Sequence, residues 1–272
     1  MSLNQSVRAQ SLELLNVNPS AQQEAVQLNN ALRLFSKWRS VLIQNTLLQL
    51  HGTQVMHGPL TGMDFLSQSS EGCHVAKILG SYEQPLQPYI EAAINGNYET
   101  ILNIGCAEGY YAVGMARRMP KTSILAFDLD PNAQKVCAEL AIKNNVKERV
   151  QIGALFKAED FSAYTNKKTL VLCDIEGSER ELLGASAHPA LSNMDLIVES
   201  HECLIPGITQ ELIDRFKTSH DIAIVHDNGL RSLNPMPDWF NQLAHLDQLL
   251  ATWEWRSGPT PWLVMKARAI SN

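Results

Sequence analysis

Asp174-Ile-Glu176-Gly177 sets two carboxylates two positions apart, beside a glycine that permits a tight turn. Carboxylates that close perturb each other's pKa, which suits proton transfer. Glu199-Ser-His201-Glu202 adds an imidazole, a side chain that titrates near neutral pH and can serve as a general base. Gly105-Cys106-Ala107-Glu108-Gly109 is a glycine turn between an apolar run and a helical pattern, and Asp128 closes the next apolar run. Strand, glycine turn, helix, strand and acid, in that order, are the first half of a nucleotide-cofactor site in a doubly wound α/β fold. A carboxylate at Asp128 can accept both hydroxyls of a ribose. Its competing role is to cap the helix after Pro131, for which Asp130 is better placed.

The elements that must position these groups follow from hydrophobic periodicity. Strands are expected at 101–104, 123–127, 149–153, 169–173, 194–198, 221–225 and 262–265. Helices are expected at 86–95, 110–119, 132–145 and 209–218, and within 239–253. Continuous apolar strands alternating with helices imply a mainly parallel sheet covered on both faces. The first five strands end at Gly105, Asp128, Gly153, Asp174 and Glu199, so the candidate residues share the carboxyl edge where such sheets bind ligands. The fold expected is α/β: a doubly wound, mainly parallel, seven-stranded sheet with an N-terminal helical extension over residues 1–78.

Within that extension, residues 1–19 are polar and aperiodic and are expected to be frayed. Ser20 and Gln23 form a capping box, and a helix is expected to run to about residue 50. Val26, Leu28, Leu32, Phe35, Trp38, Leu42 and Ile43 fall broadly on one side. The favoured expectation is packing on the main domain or on the second subunit of a homodimer. The alternative is a lid in which Leu32, Phe35 and Trp38 line a substrate pocket.

At 272 residues the chain fits one large domain with an appendage, and 45% hydrophobic with 18% charged residues calls for a packed core. A net charge of −6 is unsuited to phosphate-backbone binding, so nucleic acid is not the expected partner. The 5 cysteines are odd in number and form no Cys-x-x-Cys pair, which fits free thiols in a reducing compartment. There is no signal-peptide pattern and no apolar run of membrane-spanning length. The expected setting is the cytoplasm, with no membrane partner.

The glycine turn bears on which cofactor is held. A dinucleotide fingerprint needs Gly-x-Gly-x-x-Gly, whose middle glycine lets backbone approach a pyrophosphate. Ala107 stands at that position, and Glu108 adds an anion to the turn. S-adenosylmethionine (SAM) carries no phosphate and tolerates both. Leu155 and Phe156, after the third strand, either bracket an adenine or belong to the core. Glu159 or Asp160 could accept a hydrogen bond from the adenine amine.

Ile101-Leu-Asn-Ile-Gly-Cys-Ala-Glu-Gly109 resembles the first motif of class I SAM-dependent methyltransferases, departing from it at Asn103, where an acid is usual, and at Ala107. Leu170-Val-Leu-Cys-Asp-Ile-Glu-Gly-Ser-Glu-Arg-Glu-Leu-Leu-Gly184 resembles the Asp-x-Glu-Gly-x-Glu signature of FkbM-type methyltransferases. Gly80-Ser-Tyr82-Glu83, Gly109-Tyr110-Tyr111 and Val198-Glu199 are similar to that family too. The resemblance spans about residues 78–204 and leaves the N-terminal helix and residues 227–260 uncovered.

The resemblance implies a methyltransferase domain over 79–272, with its last strand inserted antiparallel. It implies methyl transfer from SAM to a hydroxyl, often on a small metabolite or sugar. The cofactor-binding residues expected are Tyr82 and Glu83, then Gly105, Cys106, Ala107 and Gly109, then Asp128, Leu129, Leu155, Phe156 and Asp174. Asp174, Glu176 and His201 are the catalytic candidates, with one acid orienting the SAM ammonium and another group taking the substrate proton. His226, ending the sixth strand, is a lesser candidate base. Asp174, Glu199, His201 and Glu202 could instead hold a divalent metal, as in catechol-type methyltransferases. Their spacing does not match that ligand set, and no metal is expected. Three other readings stand beside this one. An NAD-linked oxidoreductase is disfavoured by the missing middle glycine. A nucleic-acid methyltransferase is disfavoured by the charge and by the absence of an Asn-Pro-Pro-Tyr type motif. The third is a non-catalytic adenosyl-binding protein.

Overall fold

The structure is a computed structural model and describes residues 2–17, 20–67 and 73–268. β1 (Thr100–Ile104) is buried at every position and lies in the middle of the sheet. It pairs in parallel with β2 (Ser123–Phe127) on one side and with β4 (Thr169–Cys173) on the other. β3 (Val150–Gly153) extends the first side, and β5 (Asp195–Glu199) the second. β6 (His220–Val225) forms the far edge, and β7 (Trp262–Ala267) inserts antiparallel between β5 and β6. The seven-stranded order is therefore β3-β2-β1-β4-β5-β7-β6. The chain leaves β1 toward β3 and returns at β4, so the direction of winding reverses between β1 and β4. In such sheets the crevice at the carboxyl ends of those two strands is the ligand site.

The strand period of two divides the core into two layers. Ile101, Leu170, Leu172 and Ile197 face a layer covered by α3 (His74–Leu79), α4 (Gln87–Ile94), α5 (Tyr110–Arg118) and α6 (Pro131–Lys143). Leu102, Ile104, Val171, Cys173, Leu196 and Val198 face the layer covered by α7 (Glu179–Leu182), α8 (His188–Leu191) and α9 (Ile208–Phe216). Asp130, not Asp128, caps α6, accepting the Asn132 N–H at 2.9 Å. All the cysteines are free, and no helix among the described residues is long and apolar enough to cross a membrane.

The N-terminal segment departs from the expectation of fraying. Leu3–Leu15 is a helix, α1, packed against α2 (Ala21–His51). A Ser2–Gln5 capping box starts it, and Val7 and Ser11 are its buried contacts. Two buried residues in thirteen are too few to show as a period in sequence. α2 buries Ile43 and Leu47 in the core but leaves Leu28, Leu32 and Phe35 exposed. It also grips the C-terminal region. Arg39 pairs with Asp247 of α11 (His245–Ala251, numbered after the short α10, Asp238–Asn241), and the Arg33 guanidinium donates to the carbonyls of Trp255 and Arg256. The expected single helical region at 239–253 is these two short helices.

Candidate functional site

The glycine turn is built against two strand ends. Gly105 has φ +76°, and a Cβ there would lie 1.6 Å from the Asp174 carbonyl oxygen, so only glycine lets β1 and β4 end this close together. The Gly105 and Cys106 N–H groups both donate to the Phe127 carbonyl, hooking the turn to the end of β2. Asp128 completes the hook. Its Oδ2 accepts the Ala107 N–H at 2.8 Å and its Oδ1 accepts the Asp130 N–H at 2.9 Å. Gly109 starts α5 and lies against Cys137. Cys106 is buried, and its hydrogen bond with the Cys137 thiol, together with burial, pushes its pKa far up, leaving it inert.

Glu108 does not present an anion to a ligand, contrary to the sequence reading. It is fully buried and paired with Lys77, whose ammonium also stands 4.9 Å from the centre of the Tyr82 ring. Lys77 lies 31 positions earlier on a helix the sequence does not show, which is why the pairing was hidden. Only Ala107 then stands against a pyrophosphate in this turn.

A cavity of about 550 Å³ opens at the winding reversal. Gly105, Asp128 and Leu129 line one side, Leu155 and Phe156 another, and Asp174, Ile175 and Leu182 the third. Phe156 is both wall and core, packed edge-on against Phe127 at 4.8 Å. Neither Glu159 nor Asp160 lines it. Asp160 instead accepts the Lys157 N–H at 2.8 Å. Toward α5 a narrow crevice is lined by Tyr82, Asn103, Gly105, Ala107 and Asp174. Asn103 is buried there, and its Oδ1 has no hydrogen-bond partner. That orphaned acceptor lines a crevice that shares Gly105 and Asp174 with the cavity, and an ammonium donor there would satisfy it. The residues present fit the cofactor.

Glu83 is corrected from cofactor contact to support. It lines none of these spaces, accepts from the Tyr111 hydroxyl and pairs with Arg256 at 2.8 Å. Burial pushes its carboxyl up to about 8 against the pull of Arg256.

A second cavity, of about 240 Å³, adjoins the first, and Asp174 and Glu176 line both. His201, Glu199, Arg256, Trp255 and Lys37 form its other walls. His201 is buried. Its Nδ1 lies 2.8 Å from Glu179 Oε1, which also accepts the Ile175 N–H at 3.0 Å. Its Nε2 faces Glu176 at 3.3 Å, Asp174 at 3.5 Å and Glu199 at 3.6 Å. Burial alone would lower the His201 pKa, but Glu179, Glu199 and Glu176 outweigh it and raise it. For Glu199, burial is outweighed by Arg256, Asp174 and His201, and its carboxyl is held below the usual range.

Other sequence candidates fall away. Glu202 turns to α9, accepting from the Gly207 and Thr209 N–H groups. His226 does not line the second cavity but a neighbouring one with Arg231 and Trp253, which shares Glu254, Arg256 and Thr260 with it. Leu32, Phe35 and Trp38 do not reach the second cavity. α2 contributes Lys37, whose ammonium lies 4.8 Å from the centre of the Trp255 ring. Sequence reading also missed Glu179, Arg256 and Trp255. Glu179 is the last acid of the Asp-x-Glu-Gly-x-Glu signature and was legible in that pattern. Arg256 and Trp255 lie just before β7, in a stretch with no period or motif.

No protein-family model matches the sequence, and no curated protein does. Solved structures share the fold loosely. An O-methyltransferase from Bacillus cereus in complex with SAH is 13% identical, covering 72% of this chain and 96% of that one with a TM-score of 0.45. Cofactor-bound Rv0187 from MTB is 12% identical, covering 69% and 81%, at 0.48. The human methyltransferase 10 domain containing protein is 10% identical, covering 85% and 96%, at 0.46. Likenesses this distant lend no weight to an activity, which has to come from the site itself.

Proposed function

We propose that this chain is a SAM-dependent methyltransferase that methylates a hydroxyl on a small metabolite or sugar, of the FkbM type. One observation carries the reading: Asp174 lines both the large, apolar-walled cavity that ends at Asp128 and the smaller polar cavity beside it. A donor held in the first would meet an acceptor held in the second at that carboxylate. Asp128 takes the ribose hydroxyls, Leu155, Phe156 and Leu182 enclose the adenine, and Asn103 Oδ1 accepts from the ammonium. The sulfonium makes the bound methyl reactive by itself. What the chain adds is in-line placement and exclusion of water, worth roughly 7–11 kcal/mol of barrier. An acceptor hydroxyl beside Asp174 forms its new O–C bond as the C–S bond breaks, and its proton passes to the Asp174 carboxylate.

The free thiols, three of them buried, support a cytoplasmic setting. The exposed Leu28, Leu32 and Phe35 on α2 support a homodimer contact on that helix. The test of the reaction is release of S-adenosylhomocysteine (SAH) from SAM over a panel of hydroxylated metabolites and sugars. Acceptor-dependent release supports the proposal. SAM turnover on none of them, with SAM bound, would move the acceptor outside this class.

A further inference from the structure

We propose that His201, Asp174, Glu176 and Glu199 form a binding site for one divalent first-row metal ion, with Glu179 holding the histidine in place. A carboxylate oxygen only accepts, so in the neutral imidazole the 2.8 Å contact to Glu179 puts the His201 proton on Nδ1 and turns the Nε2 lone pair into the cavity. A metal-bound histidine is held in this way by an outer carboxylate. Nε2 then faces carboxylate oxygens of Glu176, Asp174 and Glu199 at 3.3, 3.5 and 3.6 Å. Those separations are longer than hydrogen bonds. They approach the spacing of ligands around one ion, because ligand atoms about 2.1 Å from a metal lie roughly 3.0–3.4 Å apart. Arg256 reaches Glu199 through Oε1 and leaves Oε2 toward His201.

A separate observation points the same way. Glu179 is fully buried, and its Oε2 has no hydrogen-bond partner. A buried carboxylate oxygen left bare is costly. Glu179 offers a ligand atom within 4.8 Å of those of Asp174 and His201, so a cation in this cluster offsets that cost. One imidazole among carboxylates suits Mn²⁺, Fe²⁺, Co²⁺ or Zn²⁺ better than Ca²⁺. The ion would face the smaller cavity, where it would polarise an acceptor oxygen. A carboxylate can ligate through one oxygen and take a proton on the other, so Asp174 can serve both tasks. The site stands on the cluster alone, and only its part in methyl transfer rests on the reading above.

The test is a Mn²⁺ titration of the full chain after chelator treatment and dialysis, followed by electron paramagnetic resonance of the free ion. SAH affinity is measured by calorimetry on the same samples. One Mn²⁺ per chain is expected at micromolar concentration, with His201→Gln binding at least tenfold more weakly. Glu176 is largely exposed, so Glu176→Gln serves as the variant that folds regardless, with an expected weakening of threefold or more. Binding only at millimolar Mn²⁺, or equal binding by the wild type and Glu176→Gln, overturns the site. Mn²⁺ binding without SAH binding upholds the metal site and defeats the methyl-donor reading instead.

Discussion

The Asp174 carbonyl oxygen occupies the space a side chain on Gly105 would need, 1.6 Å from its ideal Cβ position. The obstacle is backbone, so no rotamer change relieves it. Gly105→Ala is expected to cost more than about 3 kcal/mol of stability and to abolish SAH binding. Gly207, also at positive φ but with nothing within 4 Å of its Cβ position, is the control. Gly207→Ala is expected to cost on the order of 1 kcal/mol and to leave SAH affinity unchanged. Thermal unfolding and calorimetry on both variants separate close approach from backbone strain.

Asp174 joins the two cavities, and its replacement should divide binding from chemistry. Asp174→Ala is expected to lower the methyl-transfer rate by on the order of 10²–10⁴ while largely sparing SAM affinity. Single-turnover rates at saturating SAM check this. A rate within threefold of wild type would take the proton-accepting role away from Asp174.

The Lys77–Glu108 pair lies wholly inside the protein. Glu108→Gln leaves a buried ammonium poorly compensated and is expected to cost about 3–5 kcal/mol in denaturant unfolding. A Lys77→Met, Glu108→Leu double variant keeps the volume apolar and is expected to regain most of that loss. Additive losses in the double variant would contradict a pair that is mutually neutralised.

Asp195 fastens the start of β5 to the end of β7 and to Tyr98, just before β1. It accepts from the Tyr98 hydroxyl, the Ala267 N–H and the Lys266 ammonium. Burial raises its pKa, but these donors outweigh burial and hold it below the ordinary value of 3.8. A depressed carboxyl contributes stability above its unfolded pKa and loses it as the pH falls through the folded one. Asp195→Asn is therefore expected to be less stable than wild type by about 1.5–3 kcal/mol at pH 7. The gap should close as the pH falls below 3.8. A gap independent of pH would mean that the charge of Asp195 does not matter.

Much of this arrangement was legible before any coordinates. All seven strands were readable because buried parallel strands are near-continuous apolar runs, and their polar ends marked the ligand edge. The grouping of Asp174, Glu176 and His201 followed from that edge. What stayed hidden depends on contacts distant in sequence. Glu108 looked like a ligand-facing anion until Lys77 appeared beside it. Glu83 looked like a cofactor contact but supports Arg256. Lys37, Trp255 and Arg256 come from segments without motif, and they meet only because α2 lies across the stretch before β7. α1 was missed because it buries so little.

The central claim is that the cavity between Gly105, Asp128 and Phe156 holds an adenosyl methyl donor. Calorimetric titration of the wild type and Asp128→Ala with SAH, and of the wild type with NADH, tests it most directly. The account predicts one SAH per wild-type chain, affinity at least tenfold lower in Asp128→Ala, and no NADH binding. Absence of SAH binding to the folded wild type, or NADH binding in its place, would contradict it.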